Sequence, residues 1–152
     1  TGRPLQNGKW FEKFRSNYLD VDNDALYPFG YGLSYTTFQY GDIVLNTPTM
    51  KQNETITATI QVTNSGKYDG AEVVQLYIRD LVGSITRPVR ELKGFKKVFL
   101  KAGESKTISF KITADLLRFY DYDLNQVTEP GEFDIFIGGS SQATKTARLT
   151  LK

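Results

Sequence analysis

The chain has 152 residues, 39% of them hydrophobic and 24% charged, with no cysteine and no histidine. Disulfides, thiolate sites and imidazole relays are therefore excluded, and any acid-base work falls to carboxylates. Nineteen Lys and Arg against seventeen Asp and Glu leave a net charge of +2, dispersed along the chain rather than gathered into the basic patch that nucleic acid requires.

No apolar run reaches the ~20 residues of a membrane span, and a chain of this length typically buries about 70% of its unfolded surface, enough for a core without metal or crosslink. The start, Thr1-Gly2-Arg3-Pro4, is neither a signal peptide nor an initiator end, so the chain reads as a piece of a longer one. Residues 1–35 are expected to form an irregular arm, because Pro4, Gly8, Pro28, Gly30 and Gly32 interrupt any helix or strand period. The arm and its exit are crowded with rings. Ten of the twenty aromatic residues lie in the first forty positions, and such crowding demands a partner surface. Trp10, Phe11, Phe14, Tyr18, Tyr27, Phe29, Tyr31 and Tyr35 are the candidate contact residues. Gly30 and Gly32 let the backbone bend between Phe29, Tyr31 and Tyr35, which are expected to enter separate apolar sockets.

From Thr36 the period changes to two. Phe38 and Tyr40 are even and Ile43 and Leu45 odd, with Gly41 at the change, which predicts a β-bulge there. Alternation then recurs at Ile56 to Val62, Val74 to Ile78, Val98 to Leu100, Ile108 to Ile112, Phe133 to Ile137 and Ala147 to Leu151. Turn residues separate these runs: Asn64-Ser65-Gly66, Asp69-Gly70, Ala102-Gly103, Pro130-Gly131 and Gly138-Gly139-Ser140-Ser141. Thr113 to Phe119 is the one segment suited to a helical turn. About seven short strands, each with one apolar face, predict an all-β, immunoglobulin-like antiparallel sandwich over residues 36–152. Without a cysteine pair or a buried strand-C Trp, the fibronectin type III-like version fits better than the antibody version.

Candidate chemistry is sparse. Asp20, Asp22 and Asp24 alternate as calcium ligands do, yet Ala25 and Tyr31 occupy the positions where the loop needs Gly and a bidentate Glu. Asp121, Asp123, Asn125 and Glu132 match four ligand positions, but Gln126 replaces the glycine, and a polar hairpin loop is the simpler reading. Gly30-Tyr31-Gly32 is followed by a strand rather than a helix, so it is no dinucleotide cradle. Asn53-Glu54-Thr55 is a formal glycosylation sequon, relevant only in a eukaryotic secretory host. A glycosidase needs two carboxyl groups about 5 Å, or about 6.5 to 9.5 Å, apart in a sugar-sized cleft, and here every acid falls in a turn, on an outer strand position or in the arm.

The string Tyr27-Pro28-Phe29-Gly30-Tyr31-Gly32-Leu33-Ser34-Tyr35-Thr36-Thr37-Phe38 closely resembles the signature opening the C-terminal region of glycoside hydrolase family 3, the β-glucosidase and β-xylosidase group. Val62 to Gly66, Glu72 to Ile78, Arg87 to Phe95 and Pro130 to Phe133 resemble that family's terminal fibronectin type III-like domain, and Thr1 to Pro4 and Ser16 to Asp20 resemble the end of the preceding α/β sandwich domain and its linker. The resemblance implies a parent that is a retaining, exo-acting glycosidase, periplasmic or secreted. Its nucleophile and acid/base would lie on a barrel and an α/β domain outside this chain, since a barrel alone takes ~250 residues. No catalytic, cofactor or metal role is therefore carried onto any residue here. The expected function is a non-catalytic domain bracing the catalytic domains of the same parent chain. Two alternatives are a carbohydrate-binding module that stacks β-glucan or another polysaccharide on Tyr77 and Phe136, which have outward parity, and an independent protein-interaction sandwich.

Overall fold

Each alternating run becomes a strand because every second side chain can be buried against an opposing sheet while the others stay wet. The computed structural model describes residues 25–143 and 145–152. In chain order the elements are β1 (Phe38–Tyr40), β2 (Val44–Leu45), β3 (Thr49–Met50), β4 (Thr55–Asn64), β5 (Gly70–Asp80), β6 (Glu91–Leu100) and β7 (Ser105–Thr113). A single helical turn, α1 (Ala114–Leu117), follows, then β8 (Phe119–Tyr120), β9 (Gln126–Val127), β10 (Gly131–Gly138) and β11 (Thr146–Leu151).

Two sheets face each other. In the first, β4 is flanked by β7 on one side and by β1 and β2 on the other; the second runs β3-β11-β10-β5-β6. Ile56, Ile60, Val62, Ile108 and Ile112 of the first sheet and Val74, Leu76, Ile135, Ile137 and Leu149 of the second form one buried cluster. Counting β1 and β2 as one interrupted strand, the seven expected strands are present. The helical turn lies within the predicted Thr113 to Phe119 segment and sinks Leu117 into the core.

The predicted bulge is visible in the register. Tyr40 lies opposite Val62 and Val44 opposite Thr59, so four steps along β1 and β2 face three along β4. Gly41 still donates its N–H to the Gln61 carbonyl (2.9 Å), and the extra residue swaps which parity faces the core.

Two features depart from expectation. The β3–β11 pair is parallel, because the chain crosses between sheets at Asn46 to Pro48 and reaches the last strand running the same way. Strand β6 begins at Glu91 rather than near Val98. Its register against β5 shifts at Leu76 and Tyr77, which face Gly94 and Leu92, leaving Lys93 as the extra residue. That bulge reverses parity midway and hides the alternation from the sequence.

One polar residue ties three turns together. Asn64 is buried, its Oδ1 accepting from the Thr36 hydroxyl (2.6 Å) and the Gly66 N–H (3.1 Å). Its Nδ2 donates to the carbonyls of Tyr68 (2.8 Å) and Leu100 (3.1 Å). Every donor and acceptor position of the amide is used.

Candidate functional site

The described part of the arm is fastened to the outer side of the five-stranded sheet by its backbone. Tyr31 donates its N–H to the Pro28 carbonyl (3.0 Å), closing a turn in which Gly30 sits at φ +79°. Gln75, buried on β5, donates from Nε2 to the carbonyls of Gly30 (2.9 Å) and Gly139 (2.7 Å) and accepts from the Tyr77 hydroxyl at Oε1. Ser141 donates its N–H to the Phe29 carbonyl (2.8 Å). The loop carrying Ser141 is in turn held by Arg90, whose Nη1 donates to the carbonyls of Ser141 (2.6 Å) and Ala143 (2.8 Å). The Arg90 guanidinium lies 3.8 Å from the centre of the Phe136 ring, and burial lowers its pKa.

This fastening corrects the stacking assignment. Tyr77 and Phe136 do lie on the outer side of the sheet, but they are 1% and 6% exposed and cluster with Ala143. The arm turn, the 139–143 loop and the Arg90 guanidinium cover them, so neither ring offers an open face to a sugar.

The other rings behave differently. Tyr27, Phe29, Tyr31 and Tyr35 are exposed, Tyr35 at 98%. No closed apolar socket among the described residues receives Phe29, Tyr31 or Tyr35, and the sockets expected for them would belong to a partner surface outside this chain. Tyr27 and Tyr31 lie beside each other with ring centroids 5.4 Å apart. Trp10, Phe11, Phe14 and Tyr18, like the Asp20 to Asp24 run, lie outside the described residues.

Sequence reasoning missed the second half of this surface. Directly opposed residues in a sheet point to one side, and on β5 and β6 the pairs are Ala71 with Phe99, Gln75 with Phe95 and Tyr77 with Leu92. Phe95 (67% exposed), Phe99, Leu92 and Val73 therefore form an apolar outer face. A groove of about 420 Å³ joins Val73, Leu92 and Phe95 to Phe29 and Leu33 of the arm. The available signal was the odd parity of Phe95 and Phe99, opposite to core-facing Val98 and Leu100.

The ionisable groups are largely engaged in structural contacts. Arg87 bridges Asp80 (3.3 Å) and Glu91 (3.2 Å) and lies 4.3 Å from the Phe119 ring centre. Burial raises the Asp80 pKa, against the opposing pull of Arg87. Asp121 accepts from the N–H groups of Asp123 and Asn125 (both 2.9 Å), capping the β8–β9 hairpin, and Glu132 pairs with Arg148 (2.7 Å). The second candidate calcium loop is thus a hairpin turn with its end ligand turned to an arginine. Among the described residues no cluster of three or more His, Cys, Asp or Glu is placed to hold a metal.

The arm turn gives a direct prediction. A Cβ on Gly30 would lie 2.0 Å from Gln75 Oε1 and 2.7 Å from the Tyr77 hydroxyl, and its positive φ disfavours any L side chain. Gly30→Ala is expected to weaken arm docking by about 2 kcal/mol. Hydrogen exchange at the Ser141 amide measures it, and protection equal to wild type would contradict the prediction.

Residues 72–141 match the fibronectin type III-like domain family. Over 151 residues the chain is 47% identical to a periplasmic β-glucosidase of Salmonella typhimurium, a match covering 99% of this chain and 20% of that protein. Over 140 residues it is 48% identical to a β-xylosidase of Formosa agariphila, covering 91% of this chain and 19% of that protein. It superposes on the crystal structure of a β-glucosidase from Listeria innocua with a TM-score of 0.86 at 37% identity, covering 99% of this chain and 21% of that one. The chain thus spans about a fifth of the length of the curated relatives it matches.

Proposed function

We propose, from a chain that carries a fibronectin type III-like domain and aligns with about a fifth of larger β-glucosidases, that it is a non-catalytic bracing domain of a family 3 glycoside hydrolase. In this reading the sandwich (residues 36–152) and the arm (residues 1–35) clasp the catalytic domains of the same parent chain. The observation that carries it is the contiguous apolar surface made by Phe29 and Leu33 of the arm with Val73, Leu92 and Phe95 of the sheet. An exposed patch rimmed by polar groups marks a contact site, and here the described part of the arm is held in place by Gln75 and Ser141 while Tyr27, Phe29, Tyr31 and Tyr35 stay outside the core. The parent is a retaining, exo-acting glycosidase whose catalytic carboxylates lie on the other domains.

The carbohydrate-binding alternative has no open ring at Tyr77 or Phe136. Periplasmic residence is proposed from the name of the Salmonella relative; no helix among the described residues is long and apolar enough to cross a membrane.

The test compares Phe95→Ser/Phe99→Ser in the full-length parent and in the 152-residue chain. Both positions are exposed in this chain, so its own stability is expected to change by less than about 0.5 kcal/mol. The parent, where both rings would be buried, is expected to lose about 2 to 3 kcal/mol, read as a lower unfolding midpoint. An equal effect in the two contexts would refute the clasp.

A further inference from the structure

We propose that the cavity at Glu72 is a socket for an arginine side chain presented by the surface that docks on the arm face. The inference rests on the bracing function above and names the charged anchor of that contact.

Contrary to the expectation that every strand acid takes an outer position, Glu72 occupies β5 at the parity of core-facing Val74 and Leu76, at the open end of the sandwich. Its Oε1 accepts from the Tyr40 hydroxyl at 2.6 Å. Its Oε2 has no hydrogen-bond partner among the described residues, and no cation there pairs with the carboxylate. The nearby Lys145 ammonium is already bound to Asp42 (2.7 Å). A half-buried carboxylate without a cation is a charge removed from water with incomplete compensation. Burial accordingly lifts the Glu72 pKa, against the lowering effect of the Tyr40 bond, and burial together with the carboxylate holds the Tyr40 hydroxyl well above its ordinary value.

The space around Glu72 is kept open. Tyr31, Gly32, Tyr40, Gly139, Gln142 and Lys145, the last with its ammonium held by Asp42, line a cavity of about 310 Å³ with it. A Cβ on Gly139 would stand 2.7 Å from Glu72 Oε1 and 3.5 Å from the Tyr40 hydroxyl, so any larger residue there would obstruct the approach. Glu72, Tyr31, Gly32 and Gly139 also line the groove between the arm and Phe95, so the cavity adjoins the apolar face. A planar guanidinium fits this setting in two ways: it donates to the free Oε2, and it lies against the Tyr31 ring at the rim. A neutral sugar could hydrogen-bond here but would leave the charge uncompensated.

Nuclear magnetic resonance of the 152-residue chain tests the socket, with N-acetyl-arginine amide as the probe and the isosteric, uncharged citrulline amide as its control. The arginine probe is expected to shift the Glu72, Tyr31 and Gly139 resonances saturably. Citrulline is expected to bind about tenfold more weakly, the ratio that loss of one charge-assisted hydrogen bond gives. Glu72→Gln keeps an acceptor for Tyr40 and is expected to reduce the arginine response to the citrulline level. Tyr40→Phe keeps the carboxylate and is expected to retain the response. Equal responses to both amides, or an arginine response unchanged in Glu72→Gln, would overturn the proposal. A saturable response to glucose that survives Glu72→Gln would do the same and assign the cavity to sugar. The Phe95/Phe99 comparison leaves Glu72 untouched, so failure of the clasp and failure of the socket are separable.

Discussion

Asn64→Ala is expected to destabilise the chain by about 4 kcal/mol. Its amide meets two donors and two acceptors at the same point: the Thr36 hydroxyl, the Gly66 N–H and the carbonyls of Tyr68 and Leu100. Alanine leaves all four without that partner, at about 1 kcal/mol for each, the Thr36 and Leu100 groups being buried and those of Gly66 and Tyr68 part-buried. The neighbouring turns cannot close in to compensate. A Cβ on Gly66 would already stand 2.1 Å from the Thr36 hydroxyl oxygen and 2.8 Å from the Thr37 nitrogen. Since a domain of this size has a total stability of only about 5 to 15 kcal/mol, the variant is expected to unfold at a much lower urea concentration. Asn64→Asp supplies a second reading. It keeps the acceptors, loses both donors and buries a charge, so its folded-state pKa is raised above the unfolded value. Its stability is expected to recover as pH falls through that raised pKa. A urea midpoint for Asn64→Ala within experimental error of wild type would remove Asn64 from the role given to it here.

Gln75→Leu is expected to cost about 3 kcal/mol and to free the arm. Gln75 holds Gly30 of the arm, Gly139 of the β10–β11 loop and the Tyr77 hydroxyl through one side-chain amide. Leucine fills the volume but pairs with none of them. The consequence is larger than the lost bonds, because the turn they hold is what covers Tyr77 and keeps Phe29 beside the sheet. Limited proteolysis is expected to cut between Leu26 and Leu33 faster than in wild type, while cleavage of β4 and β7 stays slow. A variant whose arm resists protease as well as wild type would show that the backbone bond from Ser141 to Phe29 holds the arm alone.

Taken together with the surface comparison at Phe95 and Phe99, these variants separate three layers of the molecule. Asn64 reports on the sandwich, Gln75 on the attachment of the arm, and the two phenylalanines on what the assembled face meets.

The strands were legible because burial on alternate positions is a local property: Ile56, Ala58, Ile60 and Val62 declare a buried face without reference to any partner. The bulge near Gly41 was legible for the same reason, since a change of parity within one run has few other structural causes. The start of β6 was not, because Lys93 is extruded opposite β5 and scrambles the pattern between Glu91 and Phe95. Hydrogen bonding of Asn64 was hidden behind a turn signal that Asn-Ser-Gly would give with or without a buried amide.

The sequence by itself determined the two-sheet sandwich and the ring-rich stretch that precedes it, because both follow from side-chain chemistry counted along the chain. Only the tertiary structure decided which rings are free. Tyr77 and Phe136 have outward parity, yet Gly30, 45 positions from Gln75, and Gly139, 64 positions from it, meet at one amide that holds the cover in place. Phe95 and Phe99 have the same outward parity and no such cover among the described residues. Exposure depends on which distant segment lies across a face, and that follows from long-range pairing and close packing, which the period of a single strand does not contain.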